Sequence, residues 1–367
     1  NEIKKLRAGE FDEKMLQANI NNFKLYELQS MESNEGRADI FVNSFINGTN
    51  WEDEVTAIDR MAIPTKEDIV AFADKYLKED NYAVVYKKQG KDPNEKKMTK
   101  PEITPIVSNR DVASPFLTSI QENAVKPIEP VFLDFKKDMS QLTAKSDIPV
   151  LYKQNTTNDL FQLIYVFDMG NNNDKALGTA FDYLEYLGTS DMTPEELKSE
   201  FYRLACTFYV SPGNERTYVV LSGLNENMPA AMQLFEKLLA DAQVNKEAYN
   251  NLVGDILKAR ADAKLNQGQN FSRLMNYAMY GPKSPATNLL TEAELASMNP
   301  QKLVDRIHNQ NNYKHRILYY GPSSSKDLLA TIEQYHQVPA TLKDIPAGNE
   351  YSYLETPATK VLVAPYE

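Results

Sequence analysis

Few side chains in this sequence are suited to chemistry. It has three histidines, His308, His315 and His336, and one cysteine, Cys206. A catalytic zinc site takes three protein ligands, usually with imidazole among them, and keeps a position open for water. His308 and His315 lie on either side of an expected helix-to-strand junction, an arrangement that does not by itself make a ligand pair. Cys206 has no basic neighbour in the sequence to hold it as a thiolate, so it reads as an inert buried thiol. Asp182, Glu185 and Tyr186 fall on an expected helix. Asp182 could lend a metal an oxygen, but Tyr186 is a poor ligand with a phenol pKa of about 10. A lone carboxylate pair would not hold zinc tightly, and without metal-bound water Glu185 has nothing to activate as a general base. The simpler reading makes all three the polar residues of an amphipathic helix. Arg203, Arg216 and Tyr218 could help hold a peptide, although solvated or packing roles would explain them equally.

Composition narrows the function classes. The chain has 367 residues, which at roughly 100–200 residues per domain suggests two or three domains. With 40 Lys+Arg against 51 Asp+Glu the net charge is −11, which disfavours a nucleic-acid surface. The acidic excess could line a chamber that attracts basic peptides, and an acidic solvated surface accounts for it more simply. Glycine, at 14 residues, is scarce. Neither G-x-G-x-x-G nor G-x-x-x-x-G-K-[ST] occurs. One cysteine excludes a disulfide framework within the chain. No apolar run reaches the length of about 18 residues needed to span a membrane as a helix. The opening, Glu2-Ile3-Lys4-Lys5-Leu6, reads as the end of a helix, so the chain is expected to be a piece of a longer protein. The sequons at Asn47, Asn155 and Asn270 carry little weight.

Periodicity places the elements. Residues 11 to about 46 read as helical, with Ser33 capping a second stretch that Asn47-Gly48 stops. A short helix follows at 51–61. Thr65 and Asp68 form a capping box for another, running through Leu77. Asn81–Lys88 reads as a strand. Residues 89–139 hold six of the 19 prolines and read as a linker, with a helical turn or two near 115–124. Beyond it, Val150–Gln154 and Leu160–Met169 read as a strand pair. Helices are expected at 174–187 and 194–205, a hairpin at 207–210 and 216–221, and helices at 226–242, 245–265 and 268–280. Short helices at 291–297 and 300–309, a strand at 313–320 and a helix at 324–335 complete the run. Lys360–Ala364 reads as a further strand.

An internal echo is present. Met61-Ala62-Ile63-Pro64, a helix, Asn81-Tyr82 and a strand are matched by Met298-Asn299-Pro300, a helix, Asn312-Tyr313 and a strand. Such an echo is expected of a duplicated domain seen twice at its end.

The element order over 140–322 resembles that of the insulinase/pitrilysin-type zinc peptidases, the inverzincins with an H-x-x-E-H helix followed by Gly-Thr, a second helix and a hairpin. The corresponding stretch here is Asp182-Tyr183-Leu184-Glu185-Tyr186-Leu187-Gly188-Thr189. The helix, the Glu and the Gly-Thr match, while Asp182 and Tyr186 stand where the family has histidines. The third-ligand position falls on Asp255 or, with another gap placement, Asp262. The resemblance implies an α+β fold in which each domain is a mostly antiparallel sheet with helices on one face, the LuxS/processing-peptidase-like arrangement. It implies four parts: residues 1–90 as the end of a truncated domain, 91–139 as a linker, 140–345 as a complete inactive domain, and 346–367 as the start of another. It further implies a non-catalytic portion that helps enclose peptide or unfolded polypeptide. Zinc and hydrolysis would then reside in an N-terminal domain outside the chain, with no cofactor, nucleic acid or membrane span in it. The alternative is a catalytically dead relative acting as a scaffold beside an active homologous subunit. An unrelated helical module would instead show no sheet in 140–322. Compartment is not set by these residues, and a bacterial cell envelope or periplasm is only the expectation.

Overall fold

A computed structural model describes residues 1–364 apart from 79, 81, 91–95, 97, 106, 107, 109 and 111. Six helices open the chain: α1 (Glu2–Ala8), α2 (Lys14–Ser30), α3 (Asn34–Asn47), α4 (Trp51–Val55), α5 (Ala57–Met61) and α6 (Lys66–Tyr76). Their ends follow local chemistry. Ser33 accepts from the Gly36 amide, Gly48 closes α3 in the left-handed conformation, and Thr65 and Asp68 cap each other. Few of their side chains are buried, and Phe45 and Ile46 stand largely exposed.

Residues 82–88 join no sheet, so the strand expected at Asn81–Lys88 is not found, its first residue lying outside the described ones. A strand is a pairing and not a property of sequence alone, and no neighbouring strand meets this stretch among the described residues. The same holds for 360–364. Among the described residues of the proline-rich stretch, which do not include Pro93, one helix forms, α7 (Pro115–Gln121), with Ser114 as cap and Pro115 at its first position.

The sheet is built between residues 140 and 321. Its strands are β1 (Ser140–Thr143), β2 (Pro149–Gln154), β3 (Leu160–Phe167), β4 (Cys206–Pro212), β5 (Thr217–Leu224) and β6 (Arg316–Gly321), in the order β1-β2-β6-β3-β5-β4. All pairs are antiparallel except β2 with β6. A sheet in this segment excludes the helical module. The expected pairing of β2 with β3 is corrected, because β6, from more than 150 residues downstream, lies between them. Asn155 shapes the wide connection. Its amide nitrogen donates to Asn158 and to the Leu160 carbonyl, and its backbone N–H reaches Gly321 at the end of β6, 2.8 Å away. Buried to 3% exposure, Asn155 is thus a packing residue and no accessible sequon.

The helices of this part are α8 (Leu177–Leu184), α9 (Pro194–Arg203), α10 (Met228–Asp241), α11 (Lys246–Lys264), α12 (Gln267–Tyr280), α13 (Glu292–Ser297), α14 (Gln301–Asn309) and α15 (Ser325–Tyr335). Period-two alternation sends Phe161, Leu163, Tyr165 and Phe167 of β3 into one core with Val219 and Leu221 of β5 and Ile317 and Tyr319 of β6. Side chains of α8, α10, α14 and α15 fill that core. A smaller cluster of Leu25, Leu160, Ala205 and Leu224 seats α2 against the end of the sheet. The fold is α+β with a mostly antiparallel sheet.

Candidate functional site

The residues at the degenerate motif sit where α8 ends. Asp182 is in the helix, Glu185 is its C-cap and Tyr186 lies beyond it. The buried face of α8 is made of Phe181, Tyr183 and Leu184 instead, and Tyr183 fixes it: its hydroxyl donates to the Asn245 carbonyl and accepts from the Asn245 amide at the start of α11. Partial burial, and secondarily the charge of Glu185, raise the Asp182 carboxyl above its ordinary range. The Gly-Thr that follows has a packing reason. A side chain on Gly188 would meet the Met192 carbonyl at 2.3 Å, and Thr189 donates its backbone N–H to that same carbonyl. Asp255 is exposed on α11, and Asp262 pairs with Lys258 at 2.5 Å. These donors do not fit a zinc ion. One carboxylate and an exposed phenol replace two imidazoles, and among the described residues no three His, Cys, Asp or Glu side chains converge.

The three residues considered for peptide binding separate. Arg203, on α9, makes a forked bond to Glu200 at 2.9 and 2.7 Å. Arg216 and Tyr218 lie at the other end of the β4–β5 hairpin, about 20 Å along at ~3.3 Å per residue. There Arg216 and Arg316 share Asp168, at 2.9 and 2.6 Å, which lowers the Asp168 carboxyl.

What the structure does form near the motif is a cleft of about 450 Å³ between α2, the end of α8, α9 and β4. Leu25, Tyr26, Glu185, Lys198, Phe201 and Phe208 line it. Of Asp182, Glu185 and Tyr186, only Glu185 lies on its wall. Across the cleft α2 is held by two bonds: Asn22 donates to the Tyr202 carbonyl and the Tyr202 hydroxyl donates to Asn19, both at 2.6 Å. β4 is the outermost strand, and among the described residues nothing pairs with its open edge. Sequence alone could not find this cleft, because its walls come from residues about 180 positions apart and packing alone brings them together.

Cys206 also touches the cleft, yet its thiol is only 5% exposed, and burial pushes its pKa up to about 12. Its alkylation by iodoacetamide at mildly alkaline pH should be at least about tenfold slower in the folded protein than in denaturant. Equal rates would show the thiol to be accessible. Two of the three histidines meet in the interior: His315 and His336 lie 2.9 Å apart, and His336 faces Glu236 of α10, while His308 lies against the Ala242 carbonyl. Glu236 falls on the apolar face of α10, four residues after Met232 and three before Leu239, and that register is the one signal of a buried charge.

No family model and no curated protein matches the sequence. Solved structures do. The periplasmic protease PqqL from Escherichia coli aligns with 93% of this chain and 42% of its own, at 13% identity and a TM-score of 0.52. The ferredoxin protease FusC, solved in complex with Arabidopsis ferredoxin, aligns with 96% of this chain and 42% of its own, at 10% identity and a TM-score of 0.52. A peptidase M16 inactive domain from Pseudomonas fluorescens aligns with 58% of this chain and 54% of its own, at 16% identity and a TM-score of 0.49. The chain therefore spans about half or less of each of these proteins. At such identities the likeness is one of architecture, and the chain has the α+β fold of the PqqL and FusC protease structures.

Proposed function

We propose that this chain is a non-catalytic portion of a zinc metalloendopeptidase of the insulinase/pitrilysin type, and that it helps enclose and bind a peptide. The observation that carries the reading is the open edge of β4 beside an apolar cleft, in a domain whose motif positions offer no zinc donor set. An extended peptide can add to such an edge through backbone hydrogen bonds and place alternate side chains in the cleft. Tyr26, Phe208 and Lys198 would meet it at one end of the hairpin, with Arg216 and Tyr218 at the other. Residues 1–90 would close one domain, 91–139 would link it to the domain of 140–345, and 346–367 would begin another. Zinc and hydrolysis would belong to an N-terminal domain.

Titration of a fluorescently labelled unstructured peptide tests this. The chain should bind it. Tyr26→Ala with Lys198→Glu, both exposed positions, should weaken binding about tenfold, or ~1.4 kcal/mol, without changing the fold. The same preparation, incubated with zinc and desalted, should hold no stoichiometric metal and cleave nothing. One tightly held zinc per chain, or binding untouched by the double substitution, would overturn the proposal.

A further inference from the structure

Hydrogen-bond geometry assigns the protons of the buried histidine pair. His315, just before β6, holds Nδ1 2.7 Å from the Tyr313 carbonyl, which can only accept, so Nδ1 carries a hydrogen. In the neutral ring Nε2 is then a lone pair. It faces Nε2 of His336 at 2.9 Å, so the His336 nitrogen is the donor. The other His336 nitrogen, Nδ1, lies 2.6 Å from Oε1 of Glu236. That carboxylate also accepts from the Tyr165 hydroxyl at 2.9 Å, from the Asn311 amide at 2.9 Å and from the Gln337 backbone at 3.1 Å. Four donors around one carboxylate make it the acceptor throughout. His336 thus donates from both ring nitrogens, to Glu236 and to His315, whose Nε2 accepts.

The chain of groups is full with one proton between the rings. A second would set an N–H of His315 against an N–H of His336, two like charges in a space that leaves the rings 7% and 0% exposed. No other titratable side chain touches the pair among the bonds described: Tyr165 comes from β3 and Glu236 from α10. Of the residues flanking His315, Lys314 pairs with Asp344 and Arg316 with Asp168.

We propose that the Glu236–His336–His315 chain is an acid-operated latch, in which one added proton parts the two histidines and frees residues 336–340 from α10 while the sheet stays folded. The freed stretch would be a loop held at both ends, by α15 and by the bridge of Tyr313 with Lys343, and tethered between them by the Ser146 hydroxyl, which donates to the Pro339 carbonyl at 2.7 Å. Its release would uncover the cavity of about 360 Å³ that Gln337, Val338 and Pro339 border beside Glu236. The direction follows from His315. Burial first, and the charge of His336 second, lower its pKa from 6.5 to about 4. A base with a depressed folded pKa binds its proton more readily when unfolded. The contribution of His315 to the latch is thus complete above about 6.5 and is lost as pH falls toward about 4.

Nitrogen-15 NMR of the imidazoles at neutral pH should show two protonated nitrogens on His336 and one, Nδ1, on His315. Amide hydrogen exchange, corrected for intrinsic rates, should show 336–340 losing protection at least about tenfold more than β3 and β5 between neutral pH and about 4.5. His315→Gln, which offers a non-titrating acceptor, should abolish that difference. A His336 ring bearing one proton, a loop and sheet that lose protection together, or an undiminished acid response in His315→Gln would each overturn the latch. Should that variant not fold, the two measurements on the native chain decide.

Discussion

Gly223→Ala should lower the stability of the sheet domain by roughly 2–6 kcal/mol, read as a fall in the urea midpoint. Gly223 sits in β5 at φ +150°, opposite Cys206 of β4. A methyl group there would stand 2.3 Å from the Ala205 carbonyl oxygen and 2.7 Å from the Cys206 Cα. Both are backbone atoms and neither can swing aside. Ala205 is itself held at φ +46°, and its carbonyl accepts from the Leu224 amide. Ala205 and Leu224 belong to the small cluster that seats α2, so the same change should loosen the far wall of the cleft. Gly254→Ala in α11 is the control. Nothing lies within 4 Å of its added carbon, and a helix favours alanine over glycine by about 1 kcal/mol. Equal midpoints for the two variants would show that the close approach of β4 and β5 is not maintained in solution.

The second large effect belongs to Glu236. Glu236→Ala should cost about 3–5 kcal/mol, the range found when one member of a buried pair is removed. Glu236 is 1% exposed and its carboxylate joins β3, the turn after α14 and the residues after α15 to α10. Without it the His336 ring, a phenol, an amide and a backbone N–H lose their acceptor in a dry interior. Glu236→Gln keeps the shape but turns two N–H groups toward existing donors, so it should recover only part of the loss. A Glu236→Ala protein as stable as the native one in chemical denaturation would show that water fills the site.

Much of the secondary structure was legible. Caps at Ser33 and Thr65 and the left-handed Gly48 act over three or four residues, and the sequence carries them openly. The α+β class followed from the order of elements. The pairing of β2 and β3 was misread because a strand's neighbours are a long-range matter: the turn at Asn155 reads as a hairpin, yet β6 enters between its arms. Residues 82–88 show the reverse case, a pattern fit for a strand that no ladder completes among the described residues.

The sequence by itself determined what the candidate zinc positions can offer, since ligand chemistry belongs to side-chain type: Asp182 and Tyr186 are not imidazoles wherever they sit. Only the tertiary structure decided where contact is made. The cleft joins α2 to β4, and the three remote residues Glu236, His315 and His336 share protons in one interior. Such sites depend on distances across the fold, and burial gives them their energies by removing the water that would otherwise satisfy each group separately.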